Sequence, residues 1–440
     1  MNDSVQTTGL DTDALRDWIQ RQRWYASKSR SVAGVEIAEH LALNERLLLA
    51  LVQTRFATGT HELYQLLVAG RTFDALSEPE LVLELMRRME SGTEVEGVEG
   101  RFAFYRAGGL PPLAEDARAR LVGVEQSNSS VVFDDRVVLK LFRKLEPGIN
   151  PELELLRFLT AREFESIAPL YGWYDYDGQA LAATLGVAQE FLPDAVGGWE
   201  LALDRIGSEP EWLLERLGDL GEVTARMHTV LASDAGDPAF SPEEPSQEAL
   251  SLLTATVDED IERIFVRLPD DERVAPIAGR GQDVRERLAA RAQLGAGGRV
   301  IRTHGDYHLG QTLHTPRGWV IIDFEGEPAR ALPERRAKRS PLRDIAGMLR
   351  SFAYATSAVK IQRGTAAPPD FEQRARERFL ERYLAAVDST LLPAGEAAVL
   401  NLLSIYELEK AIYELQYELD NRPDWVPIPV AGIRRLLEAE

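Results

Sequence analysis

Three oxygen-bearing side chains close together in the chain are of the kind phosphoryl transfer requires. Asp306 and Gln311 lie in Thr303-His304-Gly305-Asp306-Tyr307-His308-Leu309-Gly310-Gln311, and Asp323 ends a short apolar run in Trp319-Val320-Ile321-Ile322-Asp323-Phe324-Glu325. That reaction asks little covalent help of a protein. It asks for a carboxylate to orient and deprotonate the attacking hydroxyl, and for oxygen ligands to hold magnesium against a triphosphate. Asp306 is the candidate base, which must come within hydrogen-bond reach of the accepting hydroxyl. Gln311 offers the metal a neutral oxygen and Asp323 a charged one, and Glu325 points the same way as Asp323 if the chain there is still extended. His304 and His308 share the four-residue spacing of a helical metal pair. The Gly305-Asp306 insertion speaks for a tight loop instead, with histidine hydrogen-bonding loop backbone, and His308 is placed among the residues facing the acceptor.

The separation of Asp306 from Gln311 is that of the catalytic aspartate and metal-binding amide in the H-R-D-x-x-x-x-N loop of protein kinases, and Asp323 stands where their D-F-G aspartate would. A nucleotide side is then expected upstream. Gln126-Ser127-Asn128-Ser129-Ser130 sits where kinases carry a glycine-rich phosphate cover; it lacks the glycines, but small hydroxyl and amide groups can donate to phosphate oxygens beside backbone N–H groups. Lys140 interrupts an apolar strand, and a buried lysine is costly unless paired. Glu154 on the following helix is the first candidate partner and Glu152 the alternative. Glu190 and Leu192, in Gln189-Glu190-Phe191-Leu192-Pro193, would meet adenine through main-chain groups.

Composition narrows the setting. A chain of 440 residues with 45% apolar content supports two or three domains with substantial cores. No apolar run reaches a membrane span of about 20 residues, and Met1-Asn2-Asp3-Ser4 has neither the basic region nor the apolar core of a secretion signal, so a soluble, cytoplasmic protein without membrane contact is expected. Zero cysteines exclude disulfides, thiolate metal ligands and cysteine nucleophiles. A formal charge of −21 argues against nucleic acid as a partner. The basic cluster Arg330 and Arg335-Arg336-Ala337-Lys338-Arg339 is the local exception and is expected to form a solvated loop.

The elements that must position these groups fall into an α+β, bilobal, protein-kinase-like order. Residues 1–92 form an N-terminal mixed cap subdomain, 93–195 a β-rich N-lobe with phosphate loop, lysine strand, helix and hinge, and 196–440 a helical C-lobe. Periodicity predicts strands near 34–41, 46–54 and 62–68, a helix near 79–89 capped by Ser77, and paired strands on either side of Asp134-Asp135. Helices follow at about 151–161, 199–206, 210–231 and 250–268.

A late helix, Leu402 to Asn421, shows three stripes at about 100° per residue. Leu408, Ile412, Leu415 and Leu419 form an apolar face, Glu407, Lys410, Glu414, Glu418 and Asn421 lie opposite, and Tyr406, Tyr413 and Tyr417 flank them. An ordinary surface helix would use such residues for ion pairs along its length. A sugar platform would use the charges for hydroxyls and the rings for pyranose faces, with Trp425 beyond the helix as a wall.

At this point the chain resembles the bacterial maltokinases, relatives of aminoglycoside phosphotransferases with a eukaryotic-type kinase fold and an added N-terminal cap. The resemblance runs through Arg23-Trp24-Tyr25-Ala26-Ser27-Lys28-Ser29-Arg30, Asn150-Pro151-Glu152-Leu153-Glu154-Leu155-Leu156 and the Asp306 and Asp323 segments. It continues through Ser340-Pro341-Leu342-Arg343-Asp344-Ile345-Ala346-Gly347-Met348 and Tyr406-Glu407-Leu408-Glu409-Lys410-Ala411-Ile412-Tyr413-Glu414. It implies ATP-dependent phosphorylation of maltose at its anomeric hydroxyl, giving maltose 1-phosphate and ADP for glycogen or α-glucan synthesis, with a functional link to trehalose synthase. In such enzymes Asp306 would be the base, Gln311 and Asp323 the Mg2+ ligands and Lys140 the phosphate lysine, while Lys410, Tyr413 and Glu414 would meet the sugar. Glu409 departs from the aspartate that often precedes that lysine in the family. Glucosamine kinases share much of this architecture, so an amino sugar or an aminoglycoside is the alternative acceptor. A nucleotide-binding pseudokinase is the non-enzyme alternative.

Overall fold

The computed structural model describes residues 11–70, 72–114, 116–122, 127–292 and 297–438. The chain divides into two compact units, Met1–Asp194 and Ala195–Glu440. The first is rich in sheet and the second is largely helical, the α+β class expected.

In the first unit, helix α1 (Thr12–Ile19) precedes three antiparallel strands, β1 (Val32–Ala42), β2 (Leu48–Phe56) and β3 (His61–Val68). Leu48 to Val52 are all buried, because this sheet is covered on both faces. Leu15 and Ile19 of α1 join Trp24, Tyr25 and Tyr64 in one apolar cluster, which accounts for the aromatic pair in the Arg23-to-Arg30 segment. The expected Ser77 cap does not form. A 3-10 turn at Pro79–Val82 leads into α2 (Leu83–Ser91) with no side-chain cap, and the Ser77 hydroxyl instead donates back to the Asp74 carbonyl.

A second, seven-stranded sheet follows, built from β4 (Glu94–Glu96), β5 (Gly100–Arg106), β6 (Ala119–Val122), β7 (Asn128–Phe133), β8 (Val137–Phe142), β10 (Leu170–Gly178) and β11 (Ala182–Glu190), in the order β4-β5-β10-β11-β8-β7-β6. The short β9 (Lys144–Leu145) leaves this group to become the fourth strand of the first sheet, beside β3. Asp134 and Asp135 both adopt φ of 50° between β7 and β8. They are the central residues of a tight turn closed by the Arg136 N–H to the Phe133 carbonyl at 3.0 Å, within a three-residue connection that pairs Phe133 with Val137, and aspartate tolerates that region better than most side chains. Helix α3 (Pro151–Ala161) starts as its sequence dictates, with Asn150 accepting from the Glu152 N–H at 2.8 Å and proline at the first helical position.

The second unit opens with β12 (Val196–Gly197), α4 (Gly198–Arg205), α5 (Pro210–Leu231), α6 (Gln247–Phe265) and α7 (Gly281–Ala292). A hairpin of β13 (Thr312–Thr315) and β14 (Gly318–Ile321) pairs with β12. Then come α8 (Leu332–Arg335), α9 (Leu342–Arg363), α10 (Phe371–Ala386), α11 (Glu396–Asn421) and α12 (Pro427–Glu438). Among the described residues no helix is long and apolar enough to cross a membrane.

Candidate active site

The segment carrying Asp306 is irregular, and its backbone is fixed by a carboxylate some forty residues away. Asp344, in the first turn of α9, accepts the His304 N–H at 2.8 Å and the Gly305 N–H at 3.0 Å. The same carboxylate accepts from His228 Nε2 at 3.2 Å, while His228 Nδ1 accepts from the Tyr383 hydroxyl at 3.0 Å. Burial alone would raise the Asp344 pKa, but its bonds from His228 and the loop amides hold it below the ordinary carboxylate value. His304 completes the frame. Its Nε2 donates to the Ile322 carbonyl at 2.9 Å, and Nδ1 faces the Asp306 N–H at 3.4 Å. It bonds loop backbone, as its place in a tight loop suggested.

The β13–β14 hairpin brings the remaining oxygen donors alongside. Thr312 pairs with Ile321, and the Ile322 N–H donates to the Gln311 carbonyl at 3.1 Å, so register alone puts Gln311 beside the residue preceding Asp323. Gly305 and Gly326 approach so closely that a Cβ on the former would lie 3.4 Å from the Cα of the latter. Segments 304–306, 311 and 322–326 therefore converge. Asp323 holds φ of 63°, an unfavourable value for a residue with a side chain. One carboxylate oxygen of Asp323 and one of Glu325 lie within 4.8 Å of each other. Two carboxylate oxygens this close suit a hard divalent cation.

Asp306 opens into a cleft of about 210 Å³ whose walls include Glu327, Arg330, Glu409, Lys410 and Tyr413. Lys410 Nζ stands 3.9 Å from Asp306 Oδ1 and 5.7 Å from the Tyr413 ring centre. His308 Nε2 is 3.9 Å from Asp306 Oδ2, and its Nδ1 accepts the Gly310 N–H at 3.0 Å. Desolvation lowers the His308 pKa against the attraction of Asp306. Glu327 and Glu409 on the walls are matched by Arg330 at 2.8 Å and Arg343 at 2.7 Å.

The polar stripe of α11 is less open than its pattern suggested. The Glu407, Glu414 and Glu418 side chains are 9%, 11% and 1% exposed. They meet Arg376, Arg350 and Arg422, each at 2.6 Å, and Glu418 also accepts from the Tyr354 hydroxyl. Glu414, expected at the sugar, is thus tied to a buried arginine of α9. Tyr417 is half-exposed, Asn421 donates to the Tyr417 carbonyl at the helix end, and Trp425 stacks on Tyr354. None of these is part of the described lining of the Asp306 cleft, which on this helix consists of Tyr406, Glu409, Lys410 and Tyr413.

In the first unit, Lys140 Nζ meets Glu152 Oε2 at 2.7 Å. The partner is the alternative, Glu152, and the first candidate Glu154 gives way to it: two helical residues are about 200° apart, and Glu152 in the first turn is the one buried beneath the strand, at 2% exposure. Ser129 also needs correction as a phosphate contact. Ser130 lies opposite Lys140 in the β7–β8 ladder and shares its face, so Ser129 points to the other side, where its hydroxyl accepts from Arg143 Nε at 2.8 Å. Asn128, on the face of Lys140, donates to the Ser127 hydroxyl at 3.3 Å. Gln126 lies outside the described residues. Glu190 commits its N–H to the Pro169 carbonyl, so any base contact by Glu190 falls to its own carbonyl, and Leu192 is half-buried just beyond.

The comparisons with known proteins agree with this layout. Residues 116–327 match the Phosphotransferase enzyme family model, and residues 18–95 match the Maltokinase N-terminal cap domain. The chain is 28% identical over 336 residues to the glucosamine kinase of Mycolicibacterium smegmatis, covering 72% of this chain and 79% of that one. It is 26% identical over 329 residues to the glucosamine kinase of Streptacidiphilus jiangxiensis, covering 71% and 72%. Its fold is similar to that of a glucosamine kinase solved in complex with glucosamine, ADP and inorganic phosphate, with a TM-score of 0.72 and 20% identity across 94% of this chain and 96% of that one. With the cap domain matched over residues 18–95 and the catalytic family over residues 116–327, the chain is similar to the phosphotransferase enzyme family in its maltokinase-like form, and is a phosphotransferase with an alcohol group as acceptor.

Proposed function

We propose that the chain is an ATP-dependent maltose kinase, forming maltose 1-phosphate and ADP. Asp306 accepts the proton of the anomeric hydroxyl, whose oxygen attacks the γ-phosphorus as ADP departs. Lys140, steadied by Glu152, meets the α- and β-phosphates. Gln311, Asp323 and Glu325 would hold magnesium, which supplies positive charge against the phosphate oxygens. The product supplies α-glucan synthesis in the cytoplasm, with a functional link to trehalose synthase.

One observation carries the choice of a neutral sugar: the cation Lys410 sits 3.9 Å from the base, while each acidic residue of the α11 stripe is already matched by arginine. An ammonium-bearing acceptor would be repelled at the point where its hydroxyl must arrive. The maltokinase-type cap supports the same choice.

A second reading, a glucosamine kinase, is favoured by the names of the two relatives and of the similar solved structure. ADP release with Mg2+ and ATP, measured across maltose, glucosamine, glucose and an aminoglycoside, separates the two. Maltose should give the highest kcat/KM. A higher value for glucosamine would overturn the maltose assignment in favour of the second reading.

A further inference from the structure

The basic cluster between Arg330 and Arg339, expected as a solvated loop, lines the Asp306 cleft instead. Arg330, Arg335 and Arg339 all belong to its wall. Most cations of this stretch are already held. Arg330 meets Glu327 at 2.8 Å, Arg335 Nη1 donates to the Glu325 carbonyl at 3.2 Å, and Lys338 donates to the Pro238 carbonyl at 2.7 Å and meets Glu243. Arg343, the next cation along, meets Glu409 at 2.7 Å.

Arg339 is different. Among the described residues, no hydrogen bond or ion pair holds its guanidinium, although the side chain is half-buried. Its main chain, by contrast, is pinned on both sides to the buried Ile301: the Arg339 N–H donates to the Ile301 carbonyl at 2.8 Å, and the Ile301 N–H donates back at 2.9 Å. Burial and the nearby Arg343 and Arg330 lower its pKa, against the pull of Glu409 and Glu334. Five N–H donors withdrawn from water in this way are costly until an acceptor meets them.

We propose that Arg339 is a specificity-determining residue whose guanidinium binds hydroxyls of the second glucose ring of maltose. The inference rests on the maltose reading of the same cleft. Asp306, where the reacting ring must place its hydroxyl, is adjoined by Lys410 and His308. The charges acting most strongly on Arg339 are instead Arg343, Arg330, Glu409 and Glu334, which sets it in another part of the cleft. A single ring at Asp306 would leave that part to water, whereas a disaccharide extends into it. The planar fork suits a pair of neighbouring hydroxyl oxygens. An anion would fit worse, because the carboxylates of Glu327, Glu334 and Glu409 share the wall.

Steady-state kinetics of Arg339→Ala with maltose and with glucose test the idea, with Lys410→Ala as reference. Arg339→Ala should raise the KM for maltose roughly tenfold, the range of a hydrogen bond to a charged group. The KM for glucose, the KM for ATP and the kcat with maltose should stay within about twofold. Arg339→Lys, which keeps the charge but not the fork, should fall between Arg339→Ala and the unmodified chain. Lys410→Ala should instead weaken maltose and glucose alike. A KM does not depend on the amount of folded enzyme, so a loss of stability cannot imitate this pattern. Equal changes for maltose and glucose in Arg339→Ala, or no change for either, overturn the proposal while the unmodified chain still prefers maltose. If the unmodified chain prefers glucosamine, the maltose reading fails and takes the proposal with it.

Discussion

Each unit of this protein holds a lysine–carboxylate pair at a position expected to carry chemistry, and the two pairs are built differently. Lys140 and Glu152 touch at 2.7 Å, with side chains 14% and 2% exposed, whereas Lys410 and Asp306 stand 3.9 Å apart at 34% and 22%. In the first pair the carboxylate exists for the lysine. A buried cation needs a permanent counter-charge, and the contact leaves Nζ aimed while satisfying part of its hydrogen-bonding capacity. In the second pair neither group is satisfied by the other. A separation of 3.9 Å is too long for a hydrogen bond, and the gap suits an acceptor oxygen bonded by both. On the proposed reading, tight pairing marks a preset group and loose pairing the place of the acceptor.

The comparison breaks most severely at Asp306. Replacing it by asparagine removes the proposed base while keeping its shape, and turnover should fall by roughly 10² to 10⁴-fold, with ADP affinity by calorimetry unchanged. Retained turnover would mean that the proton leaves by another route. Next in size is Lys140→Met, which strands a buried Glu152: kcat/KM for ATP should drop about a hundredfold, with the acceptor KM little changed. A loss confined to the acceptor would reverse the roles assigned to the two pairs. The smallest effect belongs to Lys410, the other member of the loose pair. Lys410→Ala should raise the acceptor KM by about tenfold, or about 1.4 kcal/mol, and leave the KM for ATP alone. An effect on ATP alone would show that the gap beside Asp306 is not an acceptor position.

Much of the candidate segment's convergence was legible because Asp306, Gln311 and Asp323 stand at spacings that a single hairpin brings together. The β7–β8 turn at Asp134-Asp135 and the Asn150-Pro151 start of α3 were legible for the same local reason. What escaped was tertiary. Asp344 and His228 frame the loop from α9 and α5, and no local pattern says which buried carboxylate will accept two loop amides. The α11 stripe failed differently: the helical wheel placed Glu407, Glu414 and Glu418 together but could not reveal Arg376 of α10 on the first, Arg350 of α9 on the second and the Tyr354 hydroxyl of α9 on the third. Ser129 carried a usable signal. Once the turn is fixed, counting back along β7 puts it on the face opposite Lys140.

The left-handed backbone of Asp323 has a consequence for anyone selecting sturdier variants of this chain. Glycine at that position would release the conformational penalty and remove a negative charge from beside Glu325, so Asp323→Gly is among the substitutions a heat-challenge screen should enrich. It would also delete the proposed cation ligand. Survivors of such a screen would gain thermal resilience by discarding catalysis, and position 323 is where the exchange would be made.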